Sequence, residues 1–278
     1  MANKNILVIG MSKVGKTHFG GQLYGRLKAG SNEFKLRETP NDLSLFQEIL
    51  DCLNEGREGK HTESKLHETI VLPVVSKNGS VVDLIYPDYG GEQLRGIIEQ
   101  RQLNSIWKQQ IQNSTNWFLF IRLDLMEDIV DITTRFYQQV GVEKDVDTPN
   151  IIDLPIESSA FYIELLQIFL YVKEIALTAK NKPRLTVLLS CWDKPKYKAG
   201  SKPSKVLLAK LPLFYNFIHA NWGDNLSILG LSSLSKDLDA KKIDQEFALE
   251  GPEKFGYIVK ESGEPEVDIT YLLNEVFI

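Results

Sequence analysis

Residues Gly10–Thr17 read GMSKVGKT, a match to G-x-x-x-x-G-K-[ST]. Before it lies NILVIG, residues 5–10, an apolar run rich in β-branched residues that suits a buried strand. After it, HFGGQLYGRL sets Phe19, Leu23 and Leu27 at i, i+4 and i+8, one face of a helix. Strand, glycine loop and helix in this order build a phosphate cradle. Gly10 and Gly15 permit backbone conformations and close approaches that a side chain would block. Successive N–H groups from Ser12, Lys13, Val14 and Gly15 on to His18 then form an anion nest at the helix N-terminus. Lys16 is placed to reach the outer phosphates, and the Thr17 hydroxyl to complete a Mg²⁺ shell of phosphate oxygens and water.

Such a cradle needs a second acidic position for the metal. Two strand-like runs, ETIVLPVV and SVVDLIYPD, flank the turn SKNG and predict a β-hairpin. The second run leads into DYGGEQLR, which holds D-x-x-G from Asp88 to Gly91 at the C-terminal end of a strand, where ligands of open α/β sheets bind. Asp88 is the candidate to hold Mg²⁺ through water, and the Gly91 N–H to meet the γ-phosphate. A threonine between the cradle and Asp88 would complete the metal site. Thr39, Thr62 and Thr69 are available, and Thr62, in the polar stretch NEGREGKHTESK before the hairpin, is favoured.

Further along, RLTVLLSCWDKPK predicts a strand that carries Asp193 just beyond its end. A carboxylate there accepts hydrogen bonds from N1–H and the exocyclic amine of guanine, whereas adenine presents an acceptor at N1. The ordered motifs GMSKVGKT, Thr62, DYGG, SCWD and GLSSLSK resemble those of the small-GTPase-like P-loop family over about residues 5–236. That resemblance implies GTP and GDP as ligands, Mg²⁺ as cofactor, and contacts from Ser232 and Ser233 to base or ribose. Ser190 and Cys191 stand where the family pattern has Asn or Thr and Lys, so Lys194 or Trp192 is left to cover the ring. Glu92, with Gln93 next to it, occupies the position of the water-orienting glutamine. With the long segment before Thr62 and the tail EGPEKFGYIVKESGEPEVDITYLLNEVF, the chain looks like the bacterial double-GTPase proteins of the translation-factor-related class, which occur in predicted conflict or defence islands.

The remaining pattern alternates strands and helices. NWFLFIRLDL, 116–125, reads as a central strand. Phe161, Leu165, Ile168, Val172 and Ile175 read as one buried helical side, and Pro212 as a kink or break. Asp268 is placed to cap a helix starting at Ile269. The fold class expected is α/β, a P-loop NTPase with a mainly parallel central sheet, one antiparallel hairpin strand and helices on both faces. One domain spans 1–278, with insertions near 35–65 and 126–158 and a C-terminal extension near 237–278.

Charge and composition exclude other classes. Lys plus Arg total 32 against 37 Asp plus Glu, a net charge of −5, so direct nucleic-acid binding is not expected. The most apolar stretch is interrupted by Glu164, Gln167, Lys173 and Glu174, which argues against a membrane span. Two distant cysteines, Cys52 and Cys191, fit a reduced cytoplasmic compartment. The four histidines form no zinc spacing, and His18 reads as a helix residue near the nucleotide. Three functions stay open: a Mg²⁺-dependent GTP switch with slow hydrolysis, an ATP-using ATPase or small-molecule kinase, and a non-hydrolysing nucleotide-binding scaffold. No motif makes Arg95, Arg101 or Arg122 a catalytic arginine, so a protein effector or activating partner is expected to supply that charge.

Overall fold

Side chains alternate along the central strands between two faces, and both faces are buried. The structure, a computed structural model, describes residues 4–30, 33–39, 44–59, 69–86, 92–126, 158–195 and 197–277, without the side chain of Glu92. On β1 (Lys4–Gly10), Ile6 and Val8 enter one core layer and Leu7 and Ile9 the other. β5 (Asn116–Ile121) repeats this, with Phe118 and Phe120 on the first side and Trp117, Leu119 and Ile121 on the second. Burial on both faces is the signature of parallel strands covered by helices.

The first layer holds α1 (Lys16–Ala29), α2 (Ser44–Asn54) and a C-terminal 3₁₀ segment, Ile269–Val276. The second holds α3 (Glu92–Gln100), α4 (Ser105–Asn113), α5 (Ser158–Val172), α6 (Pro203–Lys210) and α7 (Pro212–Trp222). A short α8 (Gln245–Glu250) packs through Phe247 in a satellite cluster. The other strands are β2 (Phe34–Leu36), β3 (Ile70–Ser76), β4 (Val81–Tyr86), β6 (Arg184–Ser190), β7 (Leu226–Ser232), β8 (Tyr257–Val259) and β9 (Pro265–Glu266). Their order is β2-β3-β4-β1-β5-β6-β7-β8-β9. β4, β1, β5, β6 and β7 run parallel, and the β3–β4 hairpin forms as expected.

Two expectations change. Antiparallel pairing is not confined to one hairpin strand: β2 pairs with β3 on one side, and β8 and β9 continue the sheet on the other. The C-terminal extension thus contributes strands to the sheet itself. The buried stripe of α5 is also rotated, running through Phe161, Tyr162, Leu165, Leu166 and Phe169. The helix stops at Val172, Glu174 turns left-handed at φ 58°, and Ile175 lies beyond the helix. Lys173 then uses its ammonium on the carbonyls of Ile111, Gln112 and Ser114 at the end of α4, a charge placed to favour a helix C-terminus.

Local chemistry accounts for the other joints. Pro212 starts α7 directly after Leu211, so of the kink or break expected there the break is what forms. α2 packs on the glycines of α1: a Cβ at Gly20 would lie 2.3 Å from Phe46, and one at Gly21 2.5 Å from Ile49. Phe46 and Leu50 therefore face inward, together with Ile49 and Leu53.

Arg26, on the far side of α1, fastens the C-terminal extension. Its guanidinium donates to the carbonyls of Val267 (2.7 Å) and Phe255 (2.6 Å) and faces Asp268 at 3.7 Å. Asp268 in turn caps the 3₁₀ segment by accepting from the Thr270 N–H. Replacing Arg26 with alanine strands these acceptors beside a carboxylate, so we expect a loss of about 3 kcal/mol in urea unfolding. A change below about 1 kcal/mol would show that the extension is held by its apolar contacts alone.

Candidate functional site

Four strand ends meet at one edge of the sheet. Gly10 pairs with Phe120, Phe120 with Leu188, and Leu188 with Leu229, so the loops after β1, β5, β6 and β7 leave side by side. β4 lies parallel to β1 on the other side, with Ile85 level with Leu7. This is the carboxyl edge at which α/β sheets bind ligands.

The loop from Gly10 to Gly15 is a tight cradle. A Cβ at Gly10 would lie 2.9 Å from Phe120 Cβ and from Val14 Cγ2, so this glycine is demanded by packing on β5. Gly15 has φ 84° and starts α1, where a side chain would be strained. Lys13 also turns left-handed, at φ 62°, and its carbonyl accepts from Arg122 Nη1 at 3.0 Å. Arg122, just past β5, grips both oxygens of Asp124, at 3.0 and 2.9 Å. No sequence pattern marks this Arg122–Asp124 clamp, because its partner is a backbone carbonyl 109 positions away in the chain.

Lys16 curls over the cradle and donates to the carbonyls of Gly10 (2.6 Å) and Met11 (2.7 Å). Its ammonium is enclosed, and burial lowers its pKa to about 7. Thr17 and His18 follow on the first turn of α1, both half-buried, while Ser12 is half-buried and Val14 fully buried in the loop. Among the described residues no cluster of three His, Cys, Asp or Glu could hold a metal. The Thr17 hydroxyl is a hard oxygen donor of the kind Mg²⁺ takes when phosphates complete its shell. Thr62, Asp88 and Gly91 lie outside the described residues. Glu92 is the first residue of α3, and Gln93 beside it is exposed, its amide oxygen accepting from Trp107 Nε1 at 3.2 Å.

The loop after β6 passes close to the cradle, with the Cys191 sulfur 4.0 Å from where a Gly15 Cβ would lie. Ser190 donates to the Ile121 carbonyl at 3.3 Å, and the Trp192 N–H donates to Leu231 O at 3.1 Å. Those bonds tie the loop to β5 and β7. Cys191 takes φ 53°, and burial pushes its thiol up to about 11, so it stays protonated at neutral pH. Trp192 is buried, tilted against the Tyr197 ring at 4.4 Å between centroids and so close under Gly230 that a Cβ there would lie 2.7 Å from its ring. It is therefore a wedge in the core, not a cover for a base. Lys194 is ion-paired with Asp237. Asp193 is half-buried between them, and its charge, after burial, helps raise the pKa of Tyr257 on β8.

Ser232 also differs from expectation: it is fully buried, and its hydroxyl accepts from the Ser235 N–H at 2.9 Å. Its side chain is spent inside the loop, while Ser233 remains half-buried at the edge. Ser235 also lies here, as do Gly256 and Tyr257 without a motif of their own, because residues 256 and 257 reach this edge only through the antiparallel pairing of β8 with β7.

A mostly parallel α/β sheet with a lysine-bearing glycine loop at its carboxyl edge defines a mixed α/β nucleotide-site architecture. The chain belongs to the Double-GTPase 1 family, whose model matches residues 7–276. Solved structures similar to it include the Arl6 (BBS3) small GTPase of Trypanosoma brucei with a bound nucleotide analogue, at 12% identity. There the match covers 83% of this chain and 87% of that one, with a TM-score of 0.38. The GTP-bound Ski7 GTPase-like domain of S. cerevisiae is 15% identical over 87% of this chain and 46% of that one, with a TM-score of 0.40. A bacterial selenocysteine-specific elongation factor is 10% identical, with 84% of this chain covered and a TM-score of 0.37, and this chain spans 26% of its length. No curated protein matches the sequence.

Proposed function

We propose that the chain is a Mg²⁺-dependent guanine-nucleotide switch that hydrolyses GTP slowly. The observation that carries this reading is the alignment of Gly10, Phe120, Leu188 and Leu229 across the sheet, which brings the Lys16 cradle and the Asp193 loop to one edge. In this reading the cradle amides and Lys16 hold the phosphates, and Asp193 accepts from the guanine ring. Mg²⁺, held by Thr17 and Asp88 and approached by Thr62, would neutralise charge on the phosphate oxygens.

Gln93 already gives its amide oxygen to Trp107, which supports Glu92 as the group that orients water, with the Gly91 N–H facing the γ-phosphate. Arginine supply supports slow turnover. Arg122 is engaged by Asp124 and Lys13, Arg101 is paired with Glu164, and Arg95 is exposed on α3. An activating protein would bring the missing charge, and the family resemblance connects that partner to a bacterial conflict or defence system in the cytoplasm. Equilibrium titration with GDP and ADP tests the reading, with GDP expected to bind at least about tenfold tighter. Equal affinities would make the chain an ATP-capable enzyme. No phosphate release from GTP over hours, alone or with lysate, would leave a binding scaffold.

A further inference from the structure

From the end of β7 the chain makes the loop Ser232–Ser235, and it returns antiparallel beside it at Gly256, 21 residues after Ser235. In the returning strand Tyr257 is level with Ser232. Just before it, Gly256 has φ 90° and crosses so near the loop that a Cβ there would lie 2.6 Å from the Ser233 carbonyl oxygen. The Gly256 N–H donates to Ser235 Oγ at 2.7 Å. Ser235 itself is left-handed, at φ 61°, a conformation that costs a non-glycine residue and persists only where neighbours hold it. Its N–H closes the loop onto Ser232 Oγ at 2.9 Å.

The clasp has a fixed anchor. Gln22 donates to the Pro252 carbonyl at 3.0 Å, and Arg26 to those of Phe255 (2.6 Å) and Gly256 (3.5 Å). Both residues are buried on α1, the helix that begins at the phosphate cradle. A continuous series of hydrogen bonds therefore runs from the cradle helix through residues 252–256 to the loop that lies beside Asp193. The Lys194–Asp237 ion pair joins the two loops from the other side.

We propose that Ser235, clasped by Gly256, is a positioning residue for base recognition, so that the C-terminal extension sets the guanine selectivity of the site. This rests on the guanine-switch reading above. Ser190 and the Trp192 N–H bind the Asp193 loop to β5 and β7; the clasp fixes the opposite wall. A carboxylate discriminates between purines only when the ring is held at hydrogen-bonding distance and in plane with it. The clasp supplies that registration without touching the phosphates.

The experiment compares GDP and ADP affinities, with Mg²⁺ present, for the full chain and its Ser235→Ala and Ser235→Gly variants. Both substitutions remove the hydroxyl, while glycine also relieves the left-handed backbone. The expected result is a roughly tenfold loss of GDP affinity in both, about 1.4 kcal/mol, with ADP affinity unchanged. Parallel loss of GDP and ADP binding, or no loss of either, overturns the proposal while a wild-type GDP preference keeps the switch reading intact. Should Ser235→Ala fold poorly, as thermal melting without nucleotide would reveal, Ser235→Gly decides alone. A wild-type chain that does not prefer GDP removes both readings together.

Discussion

Replacing Lys16 with methionine reduces GDP affinity at least about 100-fold and removes its dependence on pH above neutrality. Two charge-assisted contacts to phosphate, each worth about 1.5–3 kcal/mol, account for the first part. The second follows from the position of the ammonium. Enclosed over the cradle, Lys16 titrates at about 7 in place of 10.5. A phosphate anion favours the charged form and raises that value again, so binding takes up a proton once the free protein has lost it. Wild-type GDP affinity then falls by up to about tenfold per pH unit above 7 until the bound lysine itself deprotonates. Phosphate groups are already ionised in this range and add no slope. The free protein shows the opposite trend: the lowered lysine costs stability while charged, so stability rises with pH between about 7 and 10.5. Lys16→Met abolishes that rise as well. Calorimetric titration at pH 7, 8 and 9 measures the binding slope, and a wild-type affinity flat across that range would show that Lys16 does not meet the phosphates.

The cradle was legible because its chemistry is local. Glycine positions, lysine and threonine occupy eight consecutive residues, and the strand and helix beside them have their own periodicity. The Asp193 loop was legible in outline for the same reason: an apolar strand runs straight into it. What escaped is made of long-range partners. Arg122 holds a backbone carbonyl, Trp192 wedges under Gly230, and Gly256 clasps Ser235. None leaves a pattern in its own neighbourhood, since each depends on which strands are adjacent. The buried face of α5 is rotated from the expected one for a related reason, and that of α2 is likewise chosen by its partner. Helical spacing gives the width of an apolar stripe, but the partner selects its centre, and here the bare glycines of α1 draw Phe46 and Leu50 inward. The candidate metal residues Thr62 and Asp88 fall outside the described residues and stay readings of the sequence.

Asp193→Asn should invert base preference. A carboxylate offers two acceptors, matching N1–H and the exocyclic amine of guanine. An amide offers one acceptor and one donor, matching N1–H and the 2-carbonyl of xanthine. The expected result is a loss of GDP affinity of at least about 100-fold and a gain for xanthosine diphosphate, so that the order of the two ligands reverses. The surroundings of Asp193 permit this exchange. The loop is held by main-chain and Ser190 hydrogen bonds and by the Trp192 wedge, none of which uses the Asp193 carboxylate. The substitution therefore changes the edge presented to the base while its backbone supports remain. That separates it from Lys16→Met, which weakens every nucleotide regardless of base. A GDP preference that survives Asp193→Asn would place base recognition on the opposite wall, at Ser233 and the Gly256–Tyr257 strand.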